Sequence, residues 1–312
     1  MKLLVTGGAG FIGSNFVRYM LGKYPDYNII NLDKLTYAGN LENTSDFSEN
    51  SNYSFVEGDI ANADLVDDLA DKVDAIINFA AETHVDRSND KSDPFLQTNI
   101  MGAKVLMESS LKYKHKRFVQ ISTDEVYGDL DDGLFTEESK LKPSNPYSAS
   151  KASAEMLVMA YNRTHGLPAI ISRCSNNYGP HQYPEKLIPF FVQKLMSGEK
   201  VPVYGDGSNI RDWLHVEDHC SAVDLILHDG KIGEIYNIGS NNEHTNLEVI
   251  KRMIKILELS EDMIEFVEDR PGHDVRYAID ATKIKNELGW QPSIDFESGF
   301  RDTVLWYKSQ KS

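Results

Sequence analysis

Cysteine is nearly absent: the 312 residues hold two, Cys174 and Cys220, which excludes a disulfide framework and favours a reducing compartment. Neither sits at metal-ligand spacing. The histidines, among them His181, His215 and His219, form no ligand set either, so no metal is expected. No apolar run approaches the ~18 to 20 residues of a membrane span. Positive charge is in deficit, 32 Lys and Arg against 48 Asp and Glu for a net charge of -16. A surface of that sign repels nucleic acid and anionic lipid, so an anionic ligand needs a local basic pocket. The first strand is expected to begin at Lys2, leaving no room for a signal peptide, and a cytoplasmic location is the expectation. There is no internal repeat and no low-complexity tract.

What is present is a regular alternation. Short apolar runs at 2–6, 28–33, 53–59, 74–80, 117–122 and 169–173 are separated by amphipathic segments at 12–23, 62–71, 94–113 and 147–165. Strands alternating with helices long enough to cross a sheet predict an α/β fold with a doubly wound parallel sheet of the Rossmann type. After residue 180 the texture changes, with Pro184, Pro189, Pro202 and shorter elements. Two domains are expected, 1–180 for the cofactor and 181–312 mainly for the substrate, with the run at 234–239 returning to the first sheet.

Directly after the first strand stands TGGAGFIG, in which Gly8, Gly10 and Gly13 fit G-x-G-x-x-G and Gly7, Gly10 and Gly13 fit G-x-x-G-x-x-G. Glycines there permit a tight turn and let a pyrophosphate sit on the following helix N-terminus. Asp33 ends the second strand, where a carboxylate accepts from ribose hydroxyls and repels a 2'-phosphate, favouring NAD over NADP. Lys34 beside it pulls the other way. Asp59 and Ile60 after the third strand, and Ala80 and Ala81 after the fourth, lie where adenine and nicotinamide-ribose contacts are expected.

In NPYSASKASAEML, Asn145 and Pro146 read as a helix start. Tyr147 and Lys151, four apart, share one helix face. A tyrosine with an ordinary pKa of about 10 is a poor base near neutral pH. A neighbouring ammonium and a positive nicotinamide ring are expected to lower it. Ser122 and Thr123, one strand earlier, supply hydroxyls. The same strand runs into Asp124 and Glu125, two acids that are either a solvated turn or acid/base groups delivered to a pocket.

With these motifs the chain resembles the extended short-chain dehydrogenase/reductase family over essentially its full length. Within it, DKLTYAGN, AAETHVDRS, STDEVYG, YSASKA, RCSNNYGP, PEKLIP, GDGSNIRDWLHVEDH and DRPGHDVRYAID are similar to blocks of the dTDP-glucose 4,6-dehydratase family. Simple 4-epimerases of the family usually lack the Asp-Glu pair, which argues against a sister epimerase or decarboxylase, and non-catalytic relatives commonly lose the Tyr or Lys. The resemblance implies NAD, a nucleotide-sugar substrate (dTDP-glucose), a homodimer built on the helices at 94–113 and 147–165, and a place in deoxysugar synthesis such as that of dTDP-rhamnose. It assigns catalysis to Thr123, Asp124 as acid, Glu125 as base, Tyr147 and Lys151.

To the cofactor the resemblance assigns Gly7, Gly10, Phe11, Ile12, Gly13, Asp33, Lys34, Leu35, Thr36, Asp59, Ile60, Ala80, Ala81, Thr83, Thr98, Tyr147, Lys151 and Asn177. To the substrate it assigns Thr83, His84, Thr123, Asp124, Glu125, Asn176, Lys186, Leu187, Ile188, Pro189, Phe190, Pro202, Val203, Tyr204, Arg211, Asn246, Arg270 and His273. Guanidinium groups bind phosphate oxygens bidentately, which suits Arg211 and Arg270 to a diphosphate. Arg276 reads as a structural ion pair. His84 reads as ordering its loop with Asp86 and Arg87, and Trp213 with the methionines of 153–159 as core.

Overall fold

The computed structural model describes residues 1–269 and 274–310. Strands β1 (Lys2–Thr6), β2 (Asn28–Asp33), β3 (Tyr53–Glu57), β4 (Ala75–Asn78), β5 (Arg117–Thr123) and β6 (Ala169–Cys174) match the six apolar runs. They are followed by β7 (Asn176–Tyr178), β8 (Val201–Tyr204), β9 (Ile210–His215), β10 (Ile235–Ile238), β11 (Glu243–Thr245) and β12 (Ile264–Val267). Seven strands pair in parallel in the order β10-β6-β5-β4-β1-β2-β3. The crossovers change direction between β1 and β4. In such sheets ligands bind in the crevice beyond the carboxyl ends of the strands at that point.

The strands are apolar on both faces because both faces are covered. Leu3 and Val5 of β1 pack with Phe16, Val17 and Met20 of the helix Phe11–Lys23, while Leu4 between them packs with Leu106 and Met107 on the opposite side. Ile77 and Ile76 of β4 divide in the same way, as period-two alternation requires. A separate core joins Phe191 and Val192 of the helix Leu187–Met196, Val201 and Val203 of β8, Ile250 and Met253 of the helix Asn246–Ile256, and Phe300 of the helix Phe296–Ser309. Residues beyond 180 contribute to both: β10 and the helix Val216–Asp229 belong to the large sheet and its core.

The segment expected as one helix over 94–113 is three pieces, Asp93–Phe95, a wider π-type stretch Leu96–Gly102, and the α-helix Ala103–Lys112. Asn99, at the centre of the wide turns, accepts from the Glu82 amide at 2.9 Å and donates to the Glu82 carbonyl at 3.0 Å and to Ser150 Oγ at 2.8 Å. The irregularity thus ties the loop after β4 to the helix Pro146–His165, as such turns often do near functional sites. Met156 corrects the core assignment. It is 61% exposed, because it sits on the side of its helix away from buried Ala154 and Val158.

Candidate active site

The crevice holds a cavity open to solvent. Its floor is the glycine turn. Gly7 has φ +72°, and a Cβ on Gly13 would lie 2.2 Å from the Gly7 carbonyl oxygen, so no side chain fits between turn and helix. Gly10 caps the helix Phe11–Lys23 without a side chain, leaving the first-turn amides to an outside acceptor. Asp33 is buried; one oxygen accepts from the Ala9 amide at 2.9 Å and the other from the Leu35 amide at 2.8 Å. Burial pushes its pKa up against these amides. Each oxygen keeps a lone pair for a ribose hydroxyl. Lys34 pairs with Asp59 at 2.8 Å, so its charge is already answered without a 2'-phosphate. This cradle fits a dinucleotide.

At the other end of the cavity β5 stops at Thr123 and the chain turns through a short 3-10 segment, Asp124–Tyr127. Thr123 Oγ1 starts the turn by accepting from the Glu125 amide at 3.2 Å and donates to Asp124 Oδ1 at 3.1 Å. Gly128, with φ +86°, lets the turn leave: a Cβ there would lie 2.2 Å from the Lys142 carbonyl oxygen. Because the backbone turns, both acids line the cavity with Tyr147 and Lys151. Consecutive residues of a continuing strand would face opposite ways.

Tyr147 and Lys151 come from the helix Pro146–His165, started by a reciprocal cap between Asn145 and Ser148 with Pro146 in its first turn. Lys151 Nζ donates to the Ile121 carbonyl at 2.7 Å. Burial pushes its pKa down to about 8, with Glu155 opposing. The expected depression of Tyr147 is not found. Burial, and after it the charges of Glu125, Cys174 and Asp124, hold its hydroxyl well above the usual tyrosine range, and only a hydrogen bond with Thr123 pulls it down. The ammonium serves the Ile121 carbonyl, and its desolvation weakens the help it was expected to give.

Asp124 is 3% exposed. Burial, then the Glu125 charge, pushes its pKa up to about 8, so it is protonated at neutral pH. A raised carboxylate keeps its proton below that value and loses it above. A step that needs this proton should therefore fall as pH rises through about 8. Lys151 titrates in the same window, so the steps must be followed separately. In Asp124→Asn any pH dependence that arises from this group is expected to vanish, checked by single-turnover pH profiles.

Of the other residues read from sequence, Phe11, Ile12, Thr36, Ile60, Ala80, Ala81, Thr83, Thr98, Asn176, Asn177 and Lys186 also line the cavity. Leu35, at φ +52°, contributes its amide to Asp33 rather than its side chain to the wall. His84 caps the helix Val85–Asp90 through the Arg87 amide and faces Glu185 at 3.4 Å, the ordering role. Leu187, Pro189, Phe190, Pro202, Tyr204 and Asn246 lie outside the wall, and Ile188 and Val203 are buried in the second core. Arg211 donates to the carbonyls of Asp274 and Ile210 at 3.0 and 2.7 Å and stacks on Tyr277. Arg276 pairs with Glu243 at 2.6 Å and Trp213 is core. Arg270 and His273 lie outside the described residues.

Sequence reading missed Ser175, Gln182, Tyr183 and Glu82, all in the wall. Tyr183 meets Tyr37 edge to face at 5.4 Å, and Arg87 lies over Tyr37 while pairing with Glu185 at 2.7 Å. These contacts join two loops and the short helix Val85–Asp90, all far apart in sequence, which no local pattern announces. Among the described residues there is no cluster suited to a metal ion, and no helix is long and apolar enough to cross a membrane.

The comparisons agree with this geometry. A family profile described as GDP-mannose 4,6 dehydratase matches residues 4–303. Low-salt glycan biosynthesis protein Agl12 of Haloferax volcanii is 55% identical over 307 residues, 98% of each chain. The structure of a dTDP-glucose 4,6-dehydratase from Bacillus anthracis in complex with NAD superposes at a TM-score of 0.94 with 54% identity, over 100% of this chain and 97% of that one. A dTDP-glucose 4,6-dehydratase from Streptomyces venezuelae with NAD and TYD bound gives 0.97 and 48%, over 100% and 98%. With the phosphate cradle, the Tyr-Lys helix and the paired acids on one cavity, the chain belongs to the nucleotide-sugar 4,6-dehydratase family.

Proposed function

We infer that the protein is an NAD-dependent hydro-lyase that converts dTDP-D-glucose to dTDP-4-dehydro-6-deoxy-D-glucose and water. The observation that carries this reading is the pair Asp124 and Glu125 on one turn, facing the cavity that Tyr147 and Lys151 also face. An epimerisation at C4 needs a proton acceptor for one hydroxyl; elimination of water needs an additional base and acid.

NAD held by the Gly7–Gly13 turn and Asp33 would supply a hydride acceptor for C4 and the same hydride for C6, so that no net redox would occur. Tyr147 accepts the C4 hydroxyl proton, with Thr123 beside it in the same cavity wall. A C4 ketone makes the C5 hydrogen acidic, and Glu125 removes it as a proton. Asp124, held neutral by burial, protonates the departing C6 hydroxyl. Glu125 returns its proton to C5 as the hydride arrives at C6. One proton passing from Tyr147 to Asp124 then resets the site, and Thr123, which donates to Asp124, lines the same cavity. Lys186 in the wall supplies positive charge for the diphosphate.

The test is to purify the protein, measure its bound NAD, and incubate it with dTDP-glucose beside UDP-glucose without added reductant. Conversion of dTDP-glucose to a product lighter by one water supports the reading; a C4 epimer of unchanged mass overturns it.

The reading includes a homodimer. Leu96, Met101 and Met156 are 45%, 47% and 61% exposed on the two adjoining helical segments Leu96–Lys112 and Pro146–His165, the segments on which the dimer is expected to be built. Light scattering is expected to give twice the chain mass, and Met156→Glu to shift it toward the monomer.

A further inference from the structure

We propose that the Tyr127 hydroxyl is a positioning group for the elimination step, holding the Asp124–Tyr127 turn against the helix of Tyr147 and Lys151 through Arg173 and Glu155. The proposal rests on the dehydratase reading. It starts from the way Asp124 is held: its Oδ1 accepts only from the adjacent Thr123, and its buried Oδ2 has no hydrogen-bond partner among the described residues. A carboxyl group so lightly tethered is located by its backbone. Whatever anchors the turn therefore aims the acid.

At the far end of the turn, Tyr127 is 1% exposed and its hydroxyl is saturated. It accepts from Arg173 Nη1 at 2.7 Å and donates to Asn237 Oδ1 at 2.7 Å. Arg173 in turn donates to both oxygens of Glu155, from Nε at 3.2 and 3.0 Å and from Nη2 at 2.6 Å, with both side chains under 5% exposed. Glu155 is one helical turn beyond Lys151 and two beyond Tyr147, on the same face. Arg173 lies opposite Ser122 in the β5–β6 register, and the next pair is Thr123 with Cys174. The network thus joins the acid turn, the strand beside it and the helix of the redox pair.

Packing alone does not account for such a network. Burying an ion pair costs desolvation that well-packed apolar residues avoid, so its presence is weak evidence for stability. Fully satisfied, it fixes one relative placement of the elements it joins. The chemistry needs that placement: Tyr147 acts at C4, whereas Asp124 acts at C6 of the same hexose, and the two come from different elements. A misplacement of about 1 Å costs roughly 100-fold in rate.

Tyr127→Phe removes one oxygen and keeps the ring that stacks on Phe135 at 4.9 Å. The experiment follows two steps in single turnovers of the holoenzyme on dTDP-glucose: formation of reduced cofactor by absorbance, and C5 deuterium exchange with water loss by mass. We expect oxidation within about 3-fold of wild type and elimination slower by roughly 10- to 100-fold. Arg173→Lys, which keeps a charge facing Glu155, should act on the same step, and the double variant should be no slower than the slower single, since both cut one link.

Unchanged elimination in Tyr127→Phe, equal slowing of both steps, or multiplying effects in the double variant would each overturn the proposal. Should Arg173→Lys fail to fold, the two-step comparison in Tyr127→Phe still decides. A wild-type protein that never loses water removes the dehydratase reading instead, a result visible before any variant is made.

Discussion

Glu125→Gln is expected to stop exchange of the C5 hydrogen and loss of water, each by a factor of about 10² to 10⁴, while oxidation at C4 survives. The substitution keeps the shape of the side chain and removes its basicity. It leaves in place the Thr123 hydroxyl on the residue 125 amide and Gly128 at positive φ, both of which set the turn. The Glu125 charge also stands, after burial, among the causes that hold Tyr147 high. Its removal therefore eases deprotonation at Tyr147, and oxidation should be unimpaired. Reduced cofactor should accumulate and persist. Deuterium exchange at C5, read by mass, separates the steps; exchange at the wild-type rate would assign the base elsewhere.

Tyr147→Phe should act one step earlier and remove everything after it. Without the phenol the assigned acceptor of the C4 hydroxyl proton is gone, and a loss of about 10² to 10⁴ in oxidation is expected. C5 exchange should vanish with it, because the C5 hydrogen is acidified only by the C4 ketone. The two variants thus give opposite signatures in one assay: persistent reduced cofactor for Glu125→Gln, none for Tyr147→Phe. Tyr147 starts from an unfavourable position, buried beside two acids, so its proton affinity must be offset by positive charge. Lys151 is a limited source, itself pushed down to about 8 by burial, and the nicotinamide of bound NAD is the other. Normal oxidation in Tyr147→Phe would contradict this assignment.

The large sheet was legible in the sequence because each of its strands is a continuous apolar run between helical patterns, and both faces of a covered parallel sheet demand that signal. The glycine turn, Asp33, Tyr147 and Lys151 were legible for a related reason: their spacing is local. Asp124 and Glu125 were visible only as an oddity, two acids at the end of a buried strand, and the backbone turn at Thr123 resolves it. Less could be read where distance in sequence separates partners. Tyr37, Arg87, Tyr183 and Glu185 meet across two loops and a short helix, and the wide turns at Leu96–Gly102 answer to Glu82 and Ser150 rather than to local propensity. Helix spacing reveals the ammonium beside Tyr147 but not the depth of burial that opposes it.

The central claim is that one site oxidises C4, eliminates water across C5 and C6, and returns the same hydride to C6. Its most direct test uses dTDP-glucose deuterated at C4 in ordinary water, with the product examined by mass and nuclear magnetic resonance. The account predicts a 4-keto-6-deoxy sugar carrying the deuterium in its C6 methyl group. Deuterium returned to C4 in a product of unchanged mass, or lost to solvent, would contradict it.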